Sequence, residues 1–461
     1  MTISRFLAFT CRLNRAHFGL FMAAFCLAAC GPDELPSSGS TTLGDSSSSS
    51  GSLSSSSSSG SGGQGGGGQG GAGQGGSSQA TITSILDELS ADLDGTLDKY
   101  AALGGWPMLV EDGFLFVSTN LNLDLVAGDH DNWAGTTMNI RGNFRWAHLK
   151  VAYGTRYKFT DKTTWIADPW ARSYTYDGNG EMSLVRPIAA HIDRYFRIGD
   201  AQMPERPVHI WVPLEKPTHV LYVHDGQNLF DPKAAYGGWD LQNSVPPAVM
   251  LVGIHNTGEG RMFEYTHVQD KIDLNNDGID EVWGGKGDAY ADFVNTTVRK
   301  LVADRYGEPA KVGTMGSSLG GLISLHIADR FPGQYVYAAS LSGTLGWGKI
   351  GATSNSQTMI ERYVAHGHRA TVLYIDAGGG DAALSQQANE AQCVDSDADG
   401  IKDDNEIGDN ACENAQMRDA LVGVGYQVGT DLFHWWEAGA QHNEAEWAAR
   451  VFRPMELFVG L

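Results

Sequence analysis

Lys311-Val312-Gly313-Thr314-Met315-Gly316-Ser317-Ser318-Leu319-Gly320-Gly321 is the stretch on which the reading of this chain turns. Its first five residues have strand character, and residues 319–330 continue as a helical run. Between them, Gly-x-Ser-x-Gly leaves little bulk on either side of Ser318, as a sharp strand-to-helix bend requires, because side chains at Gly316 and Gly320 would collide across the turn. Ser318 is therefore expected above the edge of a sheet, beside a helix N-terminus that favours developing negative charge. A serine held this way is a nucleophile, and its acid and base are expected later in the chain, each after a further strand.

Outward from that turn, residues 208–212, 219–223, 249–254, 336–341 and 371–375 are apolar or β-branched runs suited to a sheet buried on both faces. Tyr290, Phe293, Val294, Val298, Leu301 and Val302 share one side of a 3.6-residue period. Strands alternating with helices predict a mostly parallel, doubly wound α/β sheet over residues 201–461. The strand at 371–375 runs into Asp376-Ala377-Gly378-Gly379-Gly380-Asp381, which offers two carboxylates. Asp376 is still close to the strand, whereas Asp381 lies past the glycine turn and can curl back toward an imidazole, so Asp381 is the expected acid. Gly439-Ala440-Gln441-His442 precedes a helical stretch at 443–458, and His442 is the expected base, taking the Ser318 proton and returning it to the leaving alcohol. His434 sits in an aromatic, strand-like run and is expected to be packed, while His224 and His255 are expected nearer the pocket.

The amino-terminal half reads differently. Residues 82–103 have helical apolar spacing, and from Gly113 short alternating segments separated by Gly, Asn and Asp predict a small β-sandwich ending near Arg186, within a domain assigned to 81–200. Trp133, Trp165 and Trp170 are candidates for a sugar-stacking face, against the common use of Trp as core in small β-domains. Residues 37–78 are runs of Ser and then Gly with occasional Gln, unable to bury enough apolar surface to offset ordering entropy; with their flanks, 30–80 read as a tether.

In residues 1–29, Arg5, Arg12 and Arg15 precede an apolar run at 18–29, the order of an export signal. It ends Leu27-Ala28-Ala29-Cys30, which resembles the lipobox of bacterial lipoproteins and implies acylation of Cys30 and attachment to a membrane surface of the bacterial envelope. Of five cysteines, Cys11 and Cys26 fall in the signal and Cys30 in the lipobox, leaving Cys393 and Cys412 as a disulfide candidate after export. Acidic residues exceed basic ones by 54 minus 32, or 22, which argues against a nucleic-acid partner, whose phosphates demand a basic surface.

Two resemblances give these features a family. Residues 126–133, Tyr157-Lys158-Phe159, Asp168-Pro169-Trp170 and Tyr176-Asp177 resemble the immunoglobulin-like early-set domain related to glycogen-binding modules. His224-Asp225-Gly226-Gln227-Asn228-Leu229-Phe230-Asp231, Arg261 with Glu264-Tyr265, Gly316 to Gly321 and Gly439 to Trp447 resemble the putative-esterase family of esterase D, enterochelin esterases and carbohydrate family-one acetyl and feruloyl esterases. That resemblance spans about 208–461 and implies an α/β-hydrolase fold, Ser318, Asp381 and His442 as nucleophile, acid and base, and an oxyanion hole from the backbone N–H groups of Gln227 and Leu319. It implies ester hydrolysis with no catalytic cofactor. Acetyl or feruloyl esters of plant polysaccharide are the expected substrates, a siderophore lactone is the alternative, and a non-catalytic glycan-binding surface lipoprotein is the competing class.

Two acidic insertions depart from the family. Asp395-x-Asp397-x-Asp399-Gly400 with Glu406 at the twelfth position fits an EF-hand-type calcium loop, Ile401 supplying a carbonyl. Asp273-x-Asn275-x-Asp277-Gly278 is a weaker match, with Gly284 where the bidentate Glu belongs. Structural calcium is expected at the first, and the cysteines bracket it.

Overall fold

In the computed structural model, residues 80–461 are described, apart from 235, 236, 275, 276, 308, 352 and 404–406. The signal, Cys30 and the tether lie outside them, as do Asn275 and Glu406. None of the helices among the described residues is long and apolar enough to cross a membrane.

The carboxyl-terminal half is an α/β-hydrolase. Six parallel strands run side by side in the order Val249–Ile254, His219–His224, Lys311–Ser317, Tyr337–Leu341, Val372–Ala377 and Leu432–Trp436. Every residue of Val249–Ile254 and Tyr337–Leu341 is buried, as expected for strands covered on both faces. One layer of core packs Val220, Tyr222, Leu322, Leu325 and Trp347 on one side; Leu221, Val223, Tyr337, Trp447 and Phe458 fill the other. The helix Leu319–Arg330 crosses the centre of this fold and is buried from Leu319 through Asp329, its circumference apolar or small except for His326 and Asp329, which are paired with Asp288 and Arg362.

The amino-terminal half begins with the helices Ile82–Ala91 and Leu93–Leu103, whose apolar faces pack on Trp106, Leu115 and Trp170. A four-stranded sheet (Met108–Val110, Gly113–Ser118, Phe144–Leu149, Asn139–Arg141) faces a second one across a core of Phe116, Val126, Tyr157 and Phe159. The expected break near Arg186 or 200 is not a break in the sheet. His191–Ile198 pairs with Ser173–Asp177 of the sandwich on one side and with Arg206–Val212 on the other, and Arg206–Val212 pairs antiparallel with Val249–Ile254. A single 14-stranded sheet thus runs from one half into the other. The strand His191-Ile192-Asp193-Arg194-Tyr195-Phe196-Arg197-Ile198 carries this junction because it buries Ile192, Asp193 and Tyr195, with Asp193 held by Ser173 Oγ at 2.6 Å and Tyr306 OH at 2.6 Å.

Candidate active site

The strand Lys311–Ser317 ends one residue before Ser318, whose φ of 78° and ψ of −118° lie where an L-residue pays strain. The expected steric logic holds at Gly316: a Cβ there would sit 2.6 Å from the backbone carbon of Gly320. Gly320 itself has more room, its Cβ position lying 3.4 Å from Asp225 Oδ2, and the tighter demand falls on Gly321, 2.4 Å from Ser340 Oγ.

His442 Nε2 lies 2.9 Å from Ser318 Oγ, although 124 residues separate them. The imidazole stands edge-on to Trp447 at 4.9 Å between ring centres, and Asn443 caps the following helix Glu444–Arg450 by accepting from the Glu446 N–H at 3.1 Å. The segment before it is pinned to the glycine turn, since Gly379 N–H donates to Ala440 O at 2.6 Å and Gly439 N–H to Gly379 O at 2.8 Å.

The acid is a correction. Asp381 is exposed and its carboxylate accepts from the Ala383 N–H at 2.8 Å. Asp409 stands in its place: its Oδ1 lies 2.9 Å from His442 Nδ1. Residues 380–407 form an excursion whose ends close on each other through Gly380 N–H to Ile407 O at 2.7 Å, so Gly378-Gly379 is followed in space by Gly408-Asp409. Glycine is required here because a Cβ on Gly379 would fall 2.1 Å from Gly408 O, and one on Gly378 would meet Ala440 O at 2.5 Å. A Gly-Asp pair at the far end of an insertion, 408–409, was the available sequence signal.

Asp409 Oδ2 accepts from Ser342 Oγ at 2.7 Å, Arg450 Nη2 at 3.0 Å and the Gly378 N–H. Burial pushes this carboxyl up, but the bond and charge of His442, the Arg450 charge and the Ser342 hydroxyl outweigh it and leave it below the ordinary carboxylate value. Asp376, the rejected alternative, is also buried and faces Arg450 Nε at 3.1 Å and Tyr374 OH at 2.9 Å rather than an imidazole. Burial dominates there and, with the neighbouring Asp409 charge, lifts it to about 6 against the pull of Arg450.

Gln227 occupies the 3₁₀ turn Gly226–Asn228, and Leu319 opens the central helix, so its N–H is among the four that a helix leaves without an intrahelical partner. The turn is held against the sheet by close approach, for a Cβ on Gly226 would lie 2.4 Å from the Gly253 carbonyl carbon. The motif residues that accompany it act as its anchors. Arg261 forks onto Asp225 with Nε and Nη2 at 2.9 and 2.8 Å, Tyr265 OH accepts from the Asp225 N–H at 3.2 Å, and Glu264 pairs with Arg206 at 2.7 Å. His224 and His255 are both buried, at 1% and 5% exposure. His224 is buried against Tyr290 OH at 3.0 Å and Thr314 Oγ1 at 3.2 Å, and His255 against His209 at 3.2 Å; burial pushes both imidazoles down to about 3. His434 is packed, half-buried and pushed down by burial to about 4.

A family profile described as Putative esterase matches residues 203–455. The chain belongs to the Putative esterase family. Membership makes it an ester hydrolase by class, and the matched residues include Ser318, Asp409 and His442. Among curated proteins, the chain is 30% identical over 127 residues to the uncharacterized protein YbbA of Bacillus subtilis strain 168, covering 27% of this chain and about half, 49%, of that protein. Solved structures similar to this Putative esterase member include an IroE-like serine hydrolase from Shewanella oneidensis (16% identity, 58% of this chain and 80% of that one, TM-score 0.42). Another is the enterobactin esterase from Shigella flexneri (12% identity, 77% and 95%, TM-score 0.38).

Away from the triad, the structure joins Cys393 to Cys412. Asp395, Asp397 and Asp399 bring carboxylate oxygens within 4.8 Å of one another, a set of hard oxygen donors. Ile401 buries its side chain and donates its N–H to Asp399 Oδ1 at 2.7 Å. Asp273 accepts from the Asp277 and Gly278 N–H groups at 3.1 and 2.8 Å, and Asp277 accepts from the Ile279 N–H at 2.8 Å. Of the three tryptophans, Trp170 is core at 2% exposure, whereas Trp133 and Trp165 lie 6.1 Å apart at a cleft of about 520 Å³ with Arg156, Lys158, Asp177 and Asn179.

Proposed function

We propose that this chain hydrolyses carboxylic esters through an acyl-enzyme on Ser318, with His442 as general base and Asp409 as the orienting acid. The observation that carries it is the unbroken line from Ser318 Oγ through both nitrogens of His442 to Asp409, each link 2.9 Å. The imidazole takes the hydroxyl proton as Oγ attacks the ester carbonyl, and returns it to the leaving alcohol; water then repeats the sequence on the acyl-enzyme. Asp409, an ionised carboxylate held by Arg450 and Ser342, fixes the tautomer of His442 and stabilises the imidazolium. The N–H groups of Gln227 and Leu319 are assigned to the oxyanion, where losing one such donor typically costs about 3 to 4 kcal/mol. Turnover of a chromogenic acetate ester tests this: Ser318→Ala loses essentially all activity, and rates equal to the parent protein would overturn the reading.

For the substrate we infer acetyl or feruloyl esters of plant polysaccharide. Supporting it are Trp133 and Trp165, with Trp165 40% exposed, set beside Lys158, Asp177 and Asn179: aromatic faces for the apolar sides of sugars, polar groups for hydroxyls. Acetate or ferulate release from xylan is the expected outcome, while preferential cleavage of a catecholate lactone would replace it with the siderophore alternative. Export with a lipid on Cys30, and calcium held by Asp395, Asp397, Asp399, Ile401 and Glu406, belong to the same proposal, supported by the signal-like order of residues 1–30 and by the converging carboxylates.

A further inference from the structure

Glu444 is the first residue of the helix that follows His442, and its carboxylate is buried at 5% exposure. It does not face a cation in an ion pair among the described residues. Its Oε1 accepts from Asn228 Nδ2 at 2.9 Å and its Oε2 from Trp239 Nε1 at 2.8 Å. Asn228 closes the Gly226–Asn228 turn directly after Gln227, and its carbonyl accepts from the Trp239 N–H at 2.8 Å, so the two donors form one unit. The carboxylate therefore ties together two segments 216 residues apart in sequence, one carrying the base and the other the assigned oxyanion donor.

We propose that Glu444 is a positioning residue, a latch that holds the His442 segment and the Gln227 turn in register on either side of Ser318. This rests on the acyl-enzyme reading above. The chemistry of the latch favours its ionised form, because a carboxylate presents an acceptor oxygen to each N–H, whereas protonation turns one oxygen into a hydroxyl with its own hydrogen to place. Burial is the main influence that lifts this group, to about 7, aided by the charge of Asp225; Arg261 and the two hydrogen bonds oppose it. On the acid side of neutrality, protonation of the latch is then expected to loosen the register of the two segments.

The test is kcat and KM for an acetate ester across pH, for the parent, Glu444→Gln, Trp239→Phe and Ser318→Ala. Glu444→Gln turns an amide N–H toward one of the two donors, and about a tenfold loss of kcat with little change in KM is expected from the resulting misplacement. Its acid limb in log kcat is expected to become shallower than the parent's, because the contribution of Glu444 protonation is removed. Trp239→Phe leaves Glu444 with fewer donors, and its acid limb is expected to move to higher pH. A Glu444→Gln protein with parental kcat and an unchanged acid limb overturns the latch while Ser318→Ala remains inactive. Should Glu444→Gln fail to fold, an unshifted acid limb in Trp239→Phe overturns it instead. Activity surviving in Ser318→Ala is a different result, since it removes the acyl-enzyme reading itself.

Discussion

The nucleophile turn and the acid loop leave the carboxyl ends of strands two places apart in one sheet, and they are built in opposite ways. Residues 316–321 reach their geometry within six residues, through the positive φ of Ser318 and the contact of Gly316 with Gly320. The acid reaches His442 only after an excursion that leaves at Gly380, returns at Ile407 and is tied through Cys393 to Cys412 in the helix that follows. A site can therefore be half local sterics and half tertiary closure, and the two halves should fail differently: substitutions at the turn act within one bend, those at the acid act through a distant network.

The sharpest break of that comparison is Asp409→Asn against Asp381→Asn. The first should lower kcat for an acetate ester by about 10³- to 10⁴-fold, since the imidazole loses the partner that sets its tautomer, and the second should leave kcat within about twofold. Parental activity in Asp409→Asn together with loss in Asp381→Asn would restore the contiguous reading of the glycine turn.

Next in size is Arg450→Met. Its guanidinium is 2% exposed and lies against both Asp376 and Asp409, so removal strands two buried carboxyls. About 3 to 5 kcal/mol should be lost in urea unfolding at neutral pH. Replacing both cysteines, Cys393→Ser with Cys412→Ser, should cost about 3 kcal/mol, and because Cys412 follows Asp409 by three residues the loss should be accompanied by lower kcat. A protein that keeps kcat while losing stability would show that the crosslink braces the loop without aligning the acid.

The smallest effect separates the two carboxyls on Arg450 by pH. Asp376 keeps its proton up to about 6 when folded but releases it near 3.8 in the unfolded chain, so the native state binds more protons in that window and stability falls as pH rises through it. Asp409 shifts the other way; its contribution is present above the unfolded value and is lost as pH falls through its depressed native one. Asp376→Asn should flatten the first slope in unfolding midpoints measured from pH 4 to about 6, leaving the acid-side loss intact.

Much of the hydrolase half was legible in the sequence because its signals are short-range. The six expected strand runs, the Ser318 bend and the helix capped by Asn443 each depend on neighbours within a few residues. His442 was legible because it immediately precedes that helix. Asp409 was not, since Gly378-Gly379-Gly380-Asp381 matches the expected spacing on paper, while the chain satisfies it with Gly408 brought back from an insertion. The bridging strand His191–Ile198 escaped for a similar reason: its two partners lie on opposite sides of any plausible domain boundary. Trp170 could not be separated from Trp133 and Trp165 by composition, because whether a ring is core or surface is decided by the helices at 82–103 that cover it.

The shared sheet has a practical consequence for anyone cutting this molecule. Starting the gene at residue 200 to obtain a minimal catalyst would strip Arg206–Val212 of its neighbour and leave a bare row of amides and carbonyls on a strand rich in Val and Ile. Such a fragment is expected to stick to itself, so swapping or deleting the front module calls for a new border, a charged or proline-bearing substitute for His191–Ile198, before any shortened version stays in solution.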